Sequence, residues 1–479
     1  MAKKRIIEID PLTRVEGHGK VTIHLDEDHN VVEARLHITE FRGFERFIRG
    51  RLLWEVPVIV QRLCGICPVS HHLAAAKAMD SIVGADQITP TAEKMRRLMH
   101  YGQVLQSHAL HFFHLSAPDL LFGFDAKTPK RNIFAVIKAF PELARQGILM
   151  RKFGQEIILH TAGKKIHGTG AIPGGINKNL PVKTRDLLLE DIDTMVEWAT
   201  AAVAIAKNYT IENLSLVKQF ANFNSNYMSL VREDGALDLY HGNLRAIDSA
   251  GNHIFDQVDY HRFDDYLMEE VRPWSYMKFP YITSRGNVDG WYRVGPLARM
   301  NTVGFIDTPL ANAELNVFRE LTDNKPNNMS LAYHWARMIE ALHCVEKVKQ
   351  LLIDPDLQGN ELVVKGEKQE EGIAVIEAPR GSLLHHYKVD ENSLVTYCNL
   401  IVSTTHNNTA MNYAVTHVAK KYLNGKPHIT EEMLNHIEVA VRAYDPCLSC
   451  ATHALGQMPL QVELYDVEGS LIDQKSQYG

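Results

Sequence analysis

The sequence predicts an α+β protein that is mostly helical: a bundle core of long helices, an N-terminal β-hairpin and a smaller lobe of strands and loops. Three patterns carry that expectation. Residues 5–40 alternate apolar and polar positions, later segments repeat apolar residues at three- and four-residue spacing, and between about 223 and 305 aromatics, Gly and Pro crowd together without a helical period. In chain order, Val21-Thr22-Ile23-His24-Leu25 and Val31-Val32-Glu33-Ala34-Arg35-Leu36 form the hairpin about the polar turn 26–30. Helices are expected over 54–62, 70–84, 92–116, 183–222, 309–354, 408–423 and 430–443. The run Asp323-Asn324-Lys325-Pro326-Asn327-Asn328 must break the 309–354 segment in two. Neither a repeat of roughly 20–50 residues nor a low-complexity linker divides the chain, which reads as one large domain.

Composition excludes several classes. Of 479 residues, 45% are hydrophobic and 23% charged, ordinary values for a globular protein with ample core material. A net charge of −6 and the lack of a Lys/Arg tract give no electrostatic footprint for nucleic acid. Apolar runs fall short of the roughly 18 residues a membrane helix needs, so direct membrane insertion is not expected.

The chemistry concentrates in two Cys-x-x-Cys pairs at opposite ends of the chain. One lies in Arg62-Leu63-Cys64-Gly65-Ile66-Cys67-Pro68-Val69-Ser70-His71, the other in Asp445-Pro446-Cys447-Leu448-Ser449-Cys450-Ala451-Thr452-His453. Four thiolates brought together would bind a soft transition metal. A structural zinc knot usually draws both pairs from one short module, with spacers of about 12–20 residues. Here most of the chain separates them, so the fold itself must assemble the site. Disulfides are not expected, since no signal-peptide pattern is read at the start and six Cys do not make a disulfide scaffold. Cys344 and Cys398 stand alone and read as small buried apolar residues.

The two motifs resemble the Arg-x-Cys-Gly-x-Cys-x-x-x-His and Asp-Pro-Cys-x-x-Cys-x-x-His signatures of the large subunit of nickel-iron hydrogenases, and match them at every fixed position. The similarity continues through Arg14-Val15-Glu16-Gly17-His18, Phe41-Arg42-Gly43-Phe44-Glu45, Gly295-Pro296-Leu297-Ala298-Arg299, Ala378-Pro379-Arg380-Gly381 and Thr404-Thr405-His406-Asn407. Cys-Pro-Val-Ser-His-His and the segment Ser107-His108-Ala109-Leu110-His111-Phe112-Phe113-His114-Leu115 look most like the soluble, cytoplasmic, NAD-reducing branch. The resemblance implies the nickel-iron hydrogenase large-subunit fold over residues 1–453.

Splitting dihydrogen calls for a soft, electron-rich metal and a nearby base. By resemblance, Cys64, Cys67, Cys447 and Cys450 bind nickel, and Cys67 and Cys450 bridge to an iron whose diatomic ligands come from maturation. Resemblance also places the Arg380 guanidinium over the metal pair, with Asp119 and Asp445 holding it. Pro379 would fix the approach and Gly381 permit a sharp turn. Glu16 is the implied proton carrier facing Cys447, and burial beside thiolates would raise its pKa. His71 would donate to a bridging sulfur or a nearby acceptor. Glu45, the backbone carbonyl of Leu400 and His453 are implied to hold a magnesium or iron ion near the C-terminus.

The chain carries neither a strand-borne Gly-x-Gly-x-x-Gly nor a P-loop, and Gly168-Thr169-Gly170-Ala171-Ile172-Pro173-Gly174-Gly175 reads as a structural turn. Spare Cys for an iron-sulfur cluster are also lacking. Electrons must therefore leave through partners: the resemblance implies a small subunit carrying iron-sulfur clusters, followed by a diaphorase module binding FMN and NAD. Residues 454–479 would be removed by a maturation endopeptidase, with nickel chaperones serving metal insertion. Rival readings are the same hydrogen chemistry with a deazaflavin, NADP or polysulfide acceptor, a zinc-stapled structural protein, and a quinone-site component of respiratory complex I. The last lacks the Cys pairs that this chain has.

Overall fold

A computed structural model describes residues 5–85, 87–452, 460–465 and 471–477. The N-terminal element is larger than the expected hairpin. Arg5–Ile9 adds an antiparallel strand beside Gly19–Leu25, which pairs in turn with Val31–Ile38. In the connecting turn, Asp26 Oδ1 accepts from the amides of Asp28 and Asn30, which closes it tightly. Val21, Ile23, Leu36 and Ile38 are buried, so alternation did report the buried face.

Helices make the rest of the core. Pro90–Leu110, Pro141–Ala162, Val182–Glu212 and Tyr333–Ile353 form the bundle, each fully buried Leu or Ile contributing about 1.5–3 kcal/mol. The first of these starts at Thr89, whose side chain accepts from the Ala92 amide, and passes into a π-helical turn, His111–Ser116. Pro141–Ala162 crosses it at a glycine contact, where a Cβ on Gly154 would sit 2.5 Å from the Gly102 carbonyl oxygen. The sequence pattern did not pick out this second helix, whose packed face mixes Ala144, Gly147 and Gly154 with Met150, Phe153 and Ile157. The 183–222 segment breaks at Asn213 into Val182–Glu212 and Leu214–Gln219. The 309–354 segment divides as expected, into Pro309–Glu320 and Tyr333–Ile353, with Asp323 and Asn324 in the left-handed region between them.

The lobe holds a four-stranded sheet in which Tyr292–Arg293 runs parallel to Asn226–Val231, followed by Asn243–Ile247 and His253–Val258. A further sheet was not expected. Glu371–Ala378, Gly381–Val389 and Val395–Ile401 pair antiparallel, and both faces are covered. Ala374, Ile376 and Leu383 pack with the helix Pro68–Ile82, while Ile373, Val375 and Leu384 pack with the lobe. Sequence alternation is lost when both faces are apolar. This sheet separates the lobe from the metal-motif helix. The Gly-rich segment is a structural turn as read: Ala171–Ile172 pairs with Gly175–Ile176, and Arg96 binds the carbonyls of Ile172 and Gly175. The tail stretch Leu460–Tyr465 is a strand, paired with Leu471–Gln477. Among the described residues no helix is long and apolar enough to cross a membrane.

Candidate metal centre

The fold closes the long gap between the Cys pairs. Cys64 follows a 3₁₀ turn, Val60–Leu63, and Cys67 caps the helix that Pro68 begins. Cys447 and Cys450 lie in the loop after the helix Glu431–Arg442, where Asp445 takes a positive φ and Thr404 Oγ1 accepts from the Cys447 amide. All four sulfurs are buried and lie within 4.8 Å of one another. Cys447 Sγ is 2.8 Å from Cys450 Sγ and 3.2 Å from Cys64 Sγ, and Cys67 Sγ is 3.8 Å from Cys450 Sγ. None is in a disulfide, and Cys344 and Cys398 are likewise unbridged and buried. Burial pushes the Cys447 and Cys450 thiols well above their usual range. Four thiolates at such a spot therefore need a cation to compensate them, and the donor set fits a soft metal.

Arg380 occupies the second turn position of the two-residue hairpin between Glu371–Ala378 and Gly381–Val389. Its Nε donates to the Asp445 carbonyl (2.6 Å), its Nη2 pairs with Asp445 Oδ1 (3.0 Å), and its Nη1 donates to Ser107 Oγ (3.3 Å). Burial opposes its charge, but Asp445 and the sulfurs of Cys447, Cys67 and Cys64 hold its pKa well above the ordinary value. The expected second anchor is corrected. Asp119 pairs with Arg14 (Nη1 2.9 Å, Nη2 2.6 Å) and with Arg442 Nη1 (2.6 Å), so it ties the N-terminal loop to the helix leading into the second motif. Two arginines distant in sequence compete for that carboxylate, which no local motif reveals.

Glu16 forms an isolated parallel bridge with Cys447, and its carbonyl accepts from the Leu448 amide at 2.9 Å. Its Oε2 accepts from Cys447 Sγ at 3.0 Å and from the Ser449 amide at 3.2 Å, while Oε1 takes the Ser449 hydroxyl. Gly17 makes this approach possible: it has φ 83°, and a Cβ there would lie 2.6 Å from the Ser449 nitrogen. Burial, then the Cys64 sulfur, raises the Glu16 pKa.

His71 Nδ1 is hydrogen-bonded to His385 Nε2 at 3.2 Å, and His385 Nδ1 to the Tyr387 hydroxyl at 2.7 Å. The nearby partner is thus another histidine, and burial lowers the His71 pKa to about 4, keeping the ring neutral. Glu45 is buried beside Leu400, whose amide donates to Oε1 at 2.9 Å. His453 lies outside the described residues.

Sequence reasoning missed several neighbours. Arg337 donates to the Ala443 carbonyl, and burial lowers its pKa to about 10. His111 binds the Arg442 carbonyl and stacks on His334 at 5.5 Å. A cavity of ≈ 660 Å³ opens beside the sulfurs, its wall including Glu16, Glu40, Arg42, Arg62, Cys64 and His167. The signal for His111 was present in the histidine-rich segment, but its partners come from other helices.

The profile of the family described as nickel-dependent hydrogenase matches residues 42–133 and 155–453, and a HoxL-like profile matches 6–41. The chain belongs to the nickel-dependent hydrogenase family, as a catalytic large subunit with the α+β fold of that class; it is an oxidoreductase acting on hydrogen. It is 49% identical to the NAD-reducing hydrogenase HoxS subunit beta of Cupriavidus necator, covering 98% of this chain and 99% of that one. It is 43% identical to a chain of the F420-non-reducing hydrogenase of Methanothermobacter marburgensis, covering 97% and 99%. Among solved structures, an NAD⁺-reducing [NiFe]-hydrogenase in the H2-reduced state superposes with a TM-score of 0.92 at 58% identity, covering 94% of this chain and 99% of that one.

Proposed function

We propose that this chain cleaves dihydrogen reversibly and heterolytically at a nickel-iron centre, Cys64 and Cys447 serving as terminal nickel ligands and Cys67 and Cys450 as bridges to iron. The observation that carries this reading is the joint placement of four sulfurs within 4.8 Å and the Glu16 carboxyl 3.0 Å from Cys447 Sγ. When bound, the metals and the iron's diatomic ligands supply the polarisation and the electron sink that splitting hydrogen needs.

The protein's own groups do the rest. Cys447 Sγ can pass a proton to Glu16 Oε2 along their existing hydrogen bond, and burial raises the Glu16 pKa, which favours the carboxyl as a proton acceptor. Arg380 presents a fixed cation to the sulfurs, preorganised by Asp445, and so stabilises negative charge where it develops. Asp119 contributes by keeping Arg14 and Arg442 in place beside Glu16 and the second motif. Neutral His71 holds its helix against the sheet through His385. Glu45, Leu400 and His453 are proposed to hold magnesium or iron, with the Glu45 carboxylate already turned toward Leu400.

Electrons are proposed to leave through a small subunit carrying iron-sulfur clusters to a flavin diaphorase and NAD. The names of the HoxS relative and of the NAD⁺-reducing structure support this acceptor. The F420-non-reducing relatives favour the second reading, the same hydrogen chemistry with another acceptor. The apolar side chains of Phe41, Phe47 and Trp54, each about half exposed, suit the docking of a cluster-bearing partner, and Phe41 lies at the cavity wall itself. Removal of residues 454–479 by an endopeptidase, with nickel chaperones assisting, is proposed to finish the centre; intact mass of active enzyme should end at His453. Hydrogen-dependent NAD reduction should appear in the complex purified with its partners. The isolated chain should not reduce a dye with hydrogen, and substantial turnover by it would contradict the proposed electron route.

A further inference from the structure

Behind Arg380 lies a fully buried charge cluster that the reaction as described does not use. Arg299 is on the short helix Pro296–Thr302 and has no solvent exposure. Its guanidinium grips Glu340 with a fork, Nε to Oε1 and Nη2 to Oε2 (2.6 Å), and Nη1 reaches Glu377 Oε2 at 2.5 Å. The carboxylates are themselves held. Glu377 Oε1 accepts from Ser382 Oγ (2.7 Å) and from the Leu230 amide (2.8 Å), and Glu340 Oε2 is hydrogen-bonded to His108 Nε2 (2.9 Å).

A buried Arg with two carboxylates is costly, and such clusters are weak evidence for stability alone. What this one touches is more informative. Arg299 Nη1 also donates to the Ala378 carbonyl (3.2 Å) and Nη2 to the Pro379 carbonyl (3.4 Å), the two residues immediately before Arg380. Gly295, which caps the same helix, lies so close that a Cβ would sit 2.7 Å from the Arg380 carbonyl oxygen. The other end of Arg380 returns to the cluster as well: its Nη1 donates to Ser107, the residue before His108. A closed ring therefore runs from Arg380 through Ser107 and His108 to Glu340, Arg299 and back to the turn.

We propose that Arg299 is a positioning residue for hydrogen cleavage, fixing the Ala378-Pro379 turn so that the Arg380 guanidinium is aimed at the four sulfurs. Lys would preserve the charge but lose the fork and at least one carbonyl bond. This rests on the role given above to Arg380, and the experiment separates the two. In the complex with its partners, Arg299→Lys, Arg380→Lys and the double variant are compared by nickel and iron content, by hydrogen oxidation, and by the infrared stretches of the iron's diatomic ligands.

The expected result is full metal content, shifted infrared bands and at least about fivefold slower oxidation in Arg299→Lys, since misplacing a positioned group by an ångström can cost up to about hundredfold. In the Arg380→Lys background the same change should add little, because its effect passes through Arg380. Wild-type rates and bands in Arg299→Lys, with Arg380→Lys impaired, would overturn the proposal alone. So would losses that multiply in the double variant, the signature of a merely structural role. Wild-type rates in Arg380→Lys would remove the reading on which it rests and the proposal with it. If Arg299→Lys fails to assemble, Glu377→Gln, which keeps its shape but turns an amide toward Arg299, is read by the same criteria in the same cycle.

Discussion

Glu16 and Cys447 are joined twice, by a parallel backbone bridge and by a hydrogen bond of 3.0 Å from Sγ to Oε2. The double link fixes a carboxyl against one sulfur of the cluster, which is what proton transfer at a single atom requires. Glu16→Gln keeps the shape but cannot carry a proton. Nickel and iron should remain, and hydrogen oxidation should fall at least about hundredfold. Wild-type turnover in the fully metallated variant would remove Glu16 from the path.

Cys450→Ser and Cys344→Ser separate ligand from packing roles. The first removes a sulfur 2.8 Å from Cys447 Sγ, and the purified variant should lack both metals. Cys344 is buried in the helix Tyr333–Ile353 and stands outside the four-sulfur cluster, so its replacement should leave metal content unchanged at a cost of about 1–2 kcal/mol. Nickel and iron retained in Cys450→Ser would contradict the ligand set.

Arg380→Lys retains a cation and loses the planar fork on Asp445. Metal content should be intact while hydrogen oxidation drops at least about tenfold, or about 1.4 kcal/mol of barrier. The comparison is made on enzyme of measured nickel content, so that a maturation defect is not read as a catalytic one.

Acid stability should report the buried Arg299 cluster. Burial would raise Glu340, but Arg299, then its hydrogen bonds to Arg299 and His108, lower it from 4.5 to about 2. A carboxylate with a depressed folded-state pKa stabilises the protein above its unfolded value and loses that contribution as pH falls through the folded one. Glu340→Gln should therefore lower the unfolding free energy measured in urea at pH 7 by an amount on the order of 3 kcal/mol, and much less near pH 2. An equal deficit at both pH values would show that packing and not charge pairing is at stake.

The four sulfurs were legible because Cys-x-x-Cys spacing is local and the flanking Arg62, His71, Asp445 and Pro446 narrow its meaning. Glu16 and Arg380 were legible through short motifs whose Gly17 and Gly381 mark close approaches that the structure contains. The partner of Asp119 was not, since Arg14 and Arg442 reach it from opposite ends of the chain. The sheet of strands 371–401 escaped notice because it is apolar on both faces; the helix Pro141–Ala162 was also missed, its packed face mixing Gly147 and Gly154 with Met150, Phe153 and Ile157. Periodicity detects one-sided burial, and the sheet, covered on both faces, erases it.

Metal analysis of the chain purified within its complex tests the central claim most directly. The four-thiolate site of Cys64, Cys67, Cys447 and Cys450 should carry nickel and iron at about one each per chain, with the iron binding diatomic ligands visible in the infrared. About one zinc per chain, with neither nickel nor iron, would identify a structural staple and contradict the account.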